Sequence, residues 1–514
     1  MKDSCHASFT IVYKNLKNME NGVILMTSTI TPEAKLHKKD KLYYINSAIG
    51  VALMFLFSFL PPFGPVTPLG MKFLGIFIGL LYLWSTVDMG WPIFAAFVSL
   101  IVLDCMPITQ IYTSAFANPT MMLCLFTMLA IMPLADTGIF DYVAVWLLKK
   151  PFLKGHPWRL TISLFSLAFI GCICQGGIPI LFMVFELTYK ICDMCGMKRS
   201  HPWAGAIITG AVVSFVIGGG VLPFTGLPLF IVSIFSAIAP FQWPFLQYIL
   251  FMIVMEVAIL FFYCLFIKLL RVNMKDLQNV DVAGFVKNLP PPSAYQKKAA
   301  ALLGIFILTL VAVGIISSLS FDNALVGLCK RVGLVGVSWI FMCGMVIWRV
   351  QSKPAFTFNT MAAKVPWDSV LIICIGMSFG PAIASEATGI SALLYQITAP
   401  LLAGHSTFVF ILLVCISTLV LTNFLNNTVV IMLMISVIAA YIPTLDINII
   451  TLAAMMLVAS QMAMFVPGAS YYAGLAHGQA THVGRKNGFL WGGMIALSTA
   501  CAMPIMLLVG NMLF

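Results

Sequence analysis

Stretches of about 20 apolar residues recur along almost the whole of this 514-residue chain, and about that length lets a helix cross the hydrocarbon core of a bilayer. Such a chain has too little charge to cover the surface of a water-soluble globule. Only 9% of its residues are charged and 61% are hydrophobic, where a soluble domain carries about a quarter charged. Backbone in lipid must satisfy its own hydrogen bonds, so long apolar spans become helices. The expected fold is an all-α polytopic membrane protein. The same composition excludes a disordered chain, a secreted disulfide scaffold and a nucleic-acid binder.

With a window of about 20 residues, apolar spans fall near 44–60, 70–87, 91–107, 118–137, 204–236, 246–269, 299–319, 331–350, 367–385, 448–476 and 487–512, about 11 transmembrane spans in all. Two other apolar stretches, 160–190 and 406–442, are interrupted midway. Gln175-Gly176-Gly177-Ile178-Pro179 splits the first, and Asn423-Phe424-Leu425-Asn426-Asn427-Thr428 the second. Each reads as a re-entrant helical hairpin, because irregular backbone at membrane depth is tolerated only inside protein or beside a wet cavity. The net charge of +11 is a topology signal rather than a sign of an anionic partner. With the N-terminus inside, the C-terminus outside and neither hairpin crossing, 25 of the 28 Lys and Arg residues lie on the cytoplasmic side. Lys72, Lys330 and Arg331 are the exceptions. That is the positive-inside pattern of a multi-pass protein in the cytoplasmic (cell) membrane.

Four segments follow. Residues 1–43 are expected to form a cytoplasmic N-terminal segment without the apolar region of a cleavable signal peptide, and Met19 and Met26 are plausible alternative starts. Residues 44–269 hold the first span and a first repeat, 270–298 a cytoplasmic linker broken by Pro290-Pro291-Pro292, and 299–514 a second repeat. The halves correspond at an offset of 251 residues. Thr137-Gly138-Ile139 recurs as Thr388-Gly389-Ile390, and 38 residues beyond each glycine comes a hairpin tip, at Gly176 and Asn427. After each hairpin a span is broken by glycine or proline, at 218–226 and at 466–472. The second copy is expected to run inverted. Inverted repeats with broken helices mark secondary transporters, with sites near the midplane. There half-helix N-termini offer N–H groups to anions, and freed carbonyls can coordinate a cation.

This order of elements, from residue 44 to nearly the end, resembles the divalent anion:sodium symporter (DASS) family of the ion-transporter superfamily. In that family each hairpin tip carries Ser-Asn-Thr and each following broken helix a Thr-Pro-Pro-like turn. Together they hold a carboxylate between two sodium sites and carry it by an elevator motion against a dimeric scaffold. For this chain the resemblance implies substrate contacts from Asn426, Asn427 and Thr428 at the second tip. It also implies a second sodium site from Thr422, Asn427 and Gly468. The first tip has Gln175, Gly176 and Gly177 where an asparagine and hydroxyls belong, and Gly171 where another hydroxyl belongs. Thr225 in the first break, with Ser470 and Tyr471 in the second, completes the implied substrate set. The second cation site is expected to persist and the first to be weakened. Such unequal tips favour a monocarboxylate, or a substrate whose apolar part packs on Tyr471 or Tyr472. The expected partners are a small organic anion, the lipid bilayer and a second copy in a homodimer. Sodium serves as the coupling ion, with no other cofactor. The expected scaffold is 70–107, 246–269, 299–350 and 487–512, and the transport unit comprises both hairpins, the broken helices and the spans preceding them.

Ionisable groups at membrane depth are candidates for function. Glu186 could couple transport to protons, or simply pair with Lys190 one helical turn on. Glu256 sits mid-span as a structural partner, and His477 and His482 read as cytoplasmic. Cys172, Cys174, Cys192 and Cys195 have metal-like spacing, yet Cys174 and Cys192 would lie about 27 Å apart on one helix. Without a His-Glu-x-x-His or Walker-type motif, the expected protein is a carrier and not an enzyme. A proton-coupled carrier or cation/proton antiporter on the same scaffold is the first alternative, and an anion channel the second.

Overall fold

The computed structural model describes residues 41–514, apart from 89, 118, 136–141, 143–152, 154, 174–176, 237, 240, 280–290, 318–322, 351, 352, 355, 364, 366, 403, 426, 443–445 and 468. The Thr137-Gly138-Ile139 turn, most of the 1–43 segment and much of the central linker therefore lie outside the described residues, as do Gln175, Gly176, Asn426 and Gly468.

The first half runs through α1 (Lys41–Leu56), α2 (Pro68–Thr86), α3 (Trp91–Val102), α4 (Ile108–Ala115), α5 (Pro119–Ala135), α6 (Pro157–Ile173), α7 (Gly177–Met194), α8 (Pro202–Gly220), α9 (Gly226–Phe235) and α10 (Phe245–Leu269). The second half opens with α11 (Ala294–Ser317), α12 (Ala324–Ile347), α13 (Phe358–Ala362), α14 (Trp367–Ala384) and α15 (Ile390–Leu402). It continues with α16 (Thr407–Leu421), α17 (Asn427–Tyr441), α18 (Ile449–Gln461), α19 (Tyr471–Gly478), α20 (Ala480–Val483) and α21 (Arg485–Leu513). A two-residue ribbon, β1 (Arg349–Val350) with β2 (Lys353–Pro354), is antiparallel with Arg349 opposite Pro354. The chain is an all-helical polytopic membrane protein.

Helix boundaries follow the capping residues. Thr67 caps α2 by accepting from Gly70 N at 3.1 Å, ahead of Pro68 at the first helical position. Asn323 and Asn448 do the same for α12 and α18. Because Asn323 caps α12, that helix begins before the expected 331 and carries Lys330 and Arg331 within it. Gly333 (φ 59°) kinks it directly afterwards, a conformation that costs glycine little.

Among the described residues, seven helices are long and apolar enough to span a bilayer. The difference from 11 has a simple source. Four runs yield no helix of that length: 91–107 gives only the twelve-residue α3, 448–476 is divided between α18 and α19, and 118–137 and 367–385 are apolar over the shorter stretches Met121–Ala130 of α5 and Val370–Phe379 of α14. The surface is that of a membrane protein. α10 buries Tyr248, Phe251, Met252, Met255, Glu256, Ile259 and Tyr263 along one stripe, yet its opposite face shows Val257 and Phe261. In water that face would be an apolar patch of the kind that drives association; in lipid it is the ordinary exterior.

α8 lies deepest, with 94% of its apolar window buried. Small residues make this possible, since they let helices approach closely without a hydrophobic drive between them. Gly205 faces the Trp491 ring of α21, and Gly210 faces Phe165 of α6 and Tyr263 of α10. α6 and α7 pack on each other and both pack on α8; likewise α16 and α17 pack on each other and on α18. α9 packs on both α17 and α18, and α8 on both α18 and α19, so the two broken helices meet at the centre of the molecule. The Thr388-Gly389 turn, with Gly389 at φ 67°, docks on the start of α2. There Thr67 donates its N–H to the Thr388 carbonyl at 3.1 Å and its hydroxyl to the Ala387 carbonyl at 2.6 Å.

Candidate functional site

A helix that stops inside a membrane protein leaves carbonyls at one broken end and N–H groups at the other, and each needs a partner. At the second break, after α18, those partners come from the tip of the α16–α17 pair. Thr422 is fully buried one residue beyond α16. Its hydroxyl lies 2.7 Å from the Ser460 carbonyl oxygen and 2.9 Å from Asn427 Oδ1. One hydroxyl proton thus serves two acceptors, and three oxygens from tip and break crowd together. Asn423, 5% exposed, bridges the same elements. Its amide nitrogen donates to the Leu419 carbonyl at 2.7 Å, and its Oδ1 accepts from Phe465 N at 2.9 Å.

The unwound segment between α18 and α19 is folded over by its own side chains. Ser470 caps α19 by accepting from Ala473 N at 2.9 Å and donates its hydroxyl to the Ala463 carbonyl at 3.0 Å. His477 Nε2 is 3.1 Å from the Met464 carbonyl oxygen, so the tautomer that makes this bond carries its proton on Nε2. His477 is 9% exposed. It is a buried clasp of the break.

The first break has a matching construction with different chemistry. Thr225 precedes α9 and turns its hydroxyl back onto the Gly219 and Leu222 carbonyls, each at 2.9 Å. Tyr248 of α10 donates to the Gly220 carbonyl, the last of α8. The end of α6 lies against the end of α8 through glycines. A Cβ on Gly218 would run into the Phe169 carbonyl oxygen, and one on Gly219 would come within 3.2 Å of Cys172 Sγ. Gly171 is glycine for a similar reason, because a Cβ there would come within 2.6 Å of Ile180 on α7. The hydroxyl expected at that position has no room. Gly177 opens α7 at the first tip.

Of the predicted residues, Thr422, Asn427, Thr428, Thr225 and Ser470 thus lie at the breaks, with Thr428 buried at the start of α17. Tyr471 is 62% exposed, whereas Tyr472 turns inward and sets its ring 6.1 Å from Phe215 of α8. Packing against the first half thus falls to Tyr472. Glu186 is on an exposed face of α7 with Lys190, and the two form no ion pair. The pair that does form nearby joins Arg199 to Asp193 at 2.7 Å. Both are substantially exposed, so it contributes little to stability. Asn423 and His477 were not among the predicted site residues. Gly376-Met377-Ser378-Phe379-Gly380 spells the Gly-x-Ser-x-Gly of hydrolases, yet it lies within the helix α14, where Ser378 donates its hydroxyl to the Cys374 carbonyl. A nucleophile elbow needs a strand-to-helix turn, and this segment offers none. A cavity of about 470 Å³, lined by Thr407, Asp446, Asn448 and Asn511 among others, opens at the opposite ends of α16 and α18 from these groups.

What the arrangement can do chemically is limited and specific. Among the described residues it sets bare oxygens against a buried hydroxyl at the second break. Four helix N-termini, at Gly177, Gly226, Asn427 and Tyr471, open beside the two breaks. Oxygens suit a cation, and helix N-termini suit an anion.

Comparison with known proteins gives the same direction. None of the curated proteins compared matches the chain. Residues 76–459 match the family model described as citrate transporter, which covers well over half of the sequence. With that extent of match, the chain belongs to the citrate transporter family, in the ion-transporter superfamily that also holds the DASS-like transporters.

Proposed function

We propose that the protein is a secondary transporter that imports citrate, or a closely related carboxylate, together with sodium. In this reading the α6–α7 and α16–α17 pairs are re-entrant hairpins of two inverted repeats. They move with α8–α9 and α18–α19 as one unit against a dimeric scaffold that includes α10, α11, α12 and α21. The observation that carries the proposal is the junction of Thr422, Asn427 and the Ser460 carbonyl. There three oxygens share one proton, with Thr422 and Ser460 fully buried and Asn427 partly so. A sodium ion would relieve that crowding by replacing the proton as the shared partner. The carboxylate would then lie between the N-terminus of α17, with Asn426 and Thr428, and the first break near Thr225. Gln175, Gly176 and Gly177 would close it from the other tip. Ser470 and Gly468 belong to the segment that would frame the cation, and Tyr471 stands at its edge.

The family match moves the preferred cargo from the monocarboxylate that unequal tips favour to citrate. A molecule with three carboxylates and a hydroxyl does not require two identical tips. Purified protein heated with citrate, with and without sodium, tests the reading. A ligand that binds only the folded state stabilises it by about 2.7 kcal/mol at 100 times its dissociation constant. Citrate is expected to raise the melting temperature, and more so with sodium than with choline. Equal shifts in the two salts would remove sodium from the account, and no shift with any carboxylate would remove the carboxylate.

A further inference from the structure

α10 carries a carboxyl group for which the binding site has no use. Glu256 is 4% exposed near the middle of this 25-residue helix, and neither of its oxygens has a hydrogen-bond partner. Its polar neighbour across the interface is Ser214 of α8, whose hydroxyl is also unsatisfied. Leaving an ionised carboxylate unpaired in such a place is very costly, and the inexpensive alternative is to keep the proton.

Among the described residues no countercharge pairs with it. α8 and α18, both packed on α10, contain no charged residue. α21 brings Arg485 and Lys486 in its first turn and Cys501 further on, and α11 brings Tyr295, Lys297 and Lys298 in its opening turn. None of these cations pairs with Glu256. On α10 itself, Tyr248 and Tyr263 spend their hydroxyl protons on the Gly220 and Ala206 carbonyls of α8, Cys264 follows Tyr263, and Lys268 lies in the last turn.

Two more orphaned polar groups flank the same stripe of α10. Thr451 Oγ1 of α18 is unsatisfied where Thr451 and Phe251 both abut Gly510. Trp491 Nε1 of α21 is unsatisfied where its ring meets Tyr263. Unsatisfied donors and acceptors therefore recur along α10 beside residues 251, 256 and 263, on the seam where α8, α18 and α21 pack. A well-made static seam would pair such groups. A seam that opens to water in one state of a cycle would not need to.

We propose that Glu256 is a proton-binding site of the transport cycle, which keeps its proton while α8 is packed on α10 and releases it when that seam is wetted. The chemistry is a simple dissociation: the carboxyl O–H bond breaks, its electron pair stays on the carboxylate, and water takes the proton. The proposal rests on the carrier reading, in which α8 moves relative to α10.

Two measurements separate its failure from failure of that reading. Infrared difference spectra of wild-type protein minus Glu256→Gln are expected to show the carbonyl-stretch band of a buried protonated carboxylic acid. A difference spectrum without that band overturns the proposal, whether or not citrate is transported. Uptake of labelled citrate into proteoliposomes is then followed across pH. Wild-type uptake is expected to depend on pH, and Glu256→Gln, which mimics the protonated side chain, to bind citrate normally with that dependence lost. An unchanged pH profile in the variant overturns the proposal while leaving the carrier reading intact. Absence of citrate uptake in the wild type, with the band present, would instead sink the citrate reading and leave the proton site. Should Glu256→Gln fail to fold, Glu256→Asp serves, and its pH profile is expected to shift along the axis; an unmoved profile overturns the proposal.

Discussion

Thr422 concentrates the residue-scale chemistry of this protein, since one buried hydroxyl ties the second tip to the second break. Thr422→Val keeps the shape and removes the hydroxyl, leaving the Ser460 carbonyl and the Asn427 amide without that partner. An unsatisfied buried polar group costs about 1–3 kcal/mol, so the variant is expected to melt lower and lose sodium stimulation of uptake. Thr422→Ser should restore both, and a Thr422→Val protein with normal sodium stimulation would contradict the assignment. Asn427→Ala is expected to abolish uptake while leaving expression intact, which surface labelling and transport together would show. Thr422 and Asn427 were legible in the sequence because the tip motif is local, a few residues long and polar within apolar surroundings. Asn423 and His477 were not. Their roles are fixed by backbone groups of Phe465 and Met464, 42 and 13 residues away, and nothing near them in the chain indicates those partners.

At the scale of elements, glycine determines how closely the helices of the first half approach. Gly218→Ala would place a methyl against the Phe169 carbonyl of α6. It is expected to separate α6 from α8 and lower the melting temperature in detergent. Gly304→Ala on α11, where an added Cβ meets nothing within 4 Å, is the control. It should be neutral or stabilise the helix by about 0.5–1 kcal/mol through lost glycine flexibility. Equal effects of the two substitutions would show that the α6–α8 contact is not tight. The helix breaks were readable because Gly218-Gly219-Gly220 and Pro467-Gly468 interrupt otherwise continuous apolar runs. α4 and the early start of α12 were not, since hydropathy windows miss an eight-residue helix and stop at charged pairs such as Lys330-Arg331. The first tip departs from the family pattern partly for a packing reason, because Gly171 leaves room only for the Ile180 side chain.

For the molecule as a whole, composition was the most reliable guide. A chain that is 61% hydrophobic and 9% charged had to be read as membrane-embedded, and the exposed apolar face of α10 is what that reading requires. Which helices move, and against what, is invisible to composition, because it depends on how tightly each seam is packed and whether its polar groups are paired. The central claim is that the tips and breaks form one carboxylate site served by sodium. The most direct measurement is uptake of labelled citrate into proteoliposomes under an inward sodium gradient, with wild-type protein and Asn427→Ala compared side by side. The account predicts saturable, concentrative uptake by the wild type that collapses without the gradient, and none by the variant. Normal uptake by Asn427→Ala, or citrate flux that never exceeds equilibration, would contradict it.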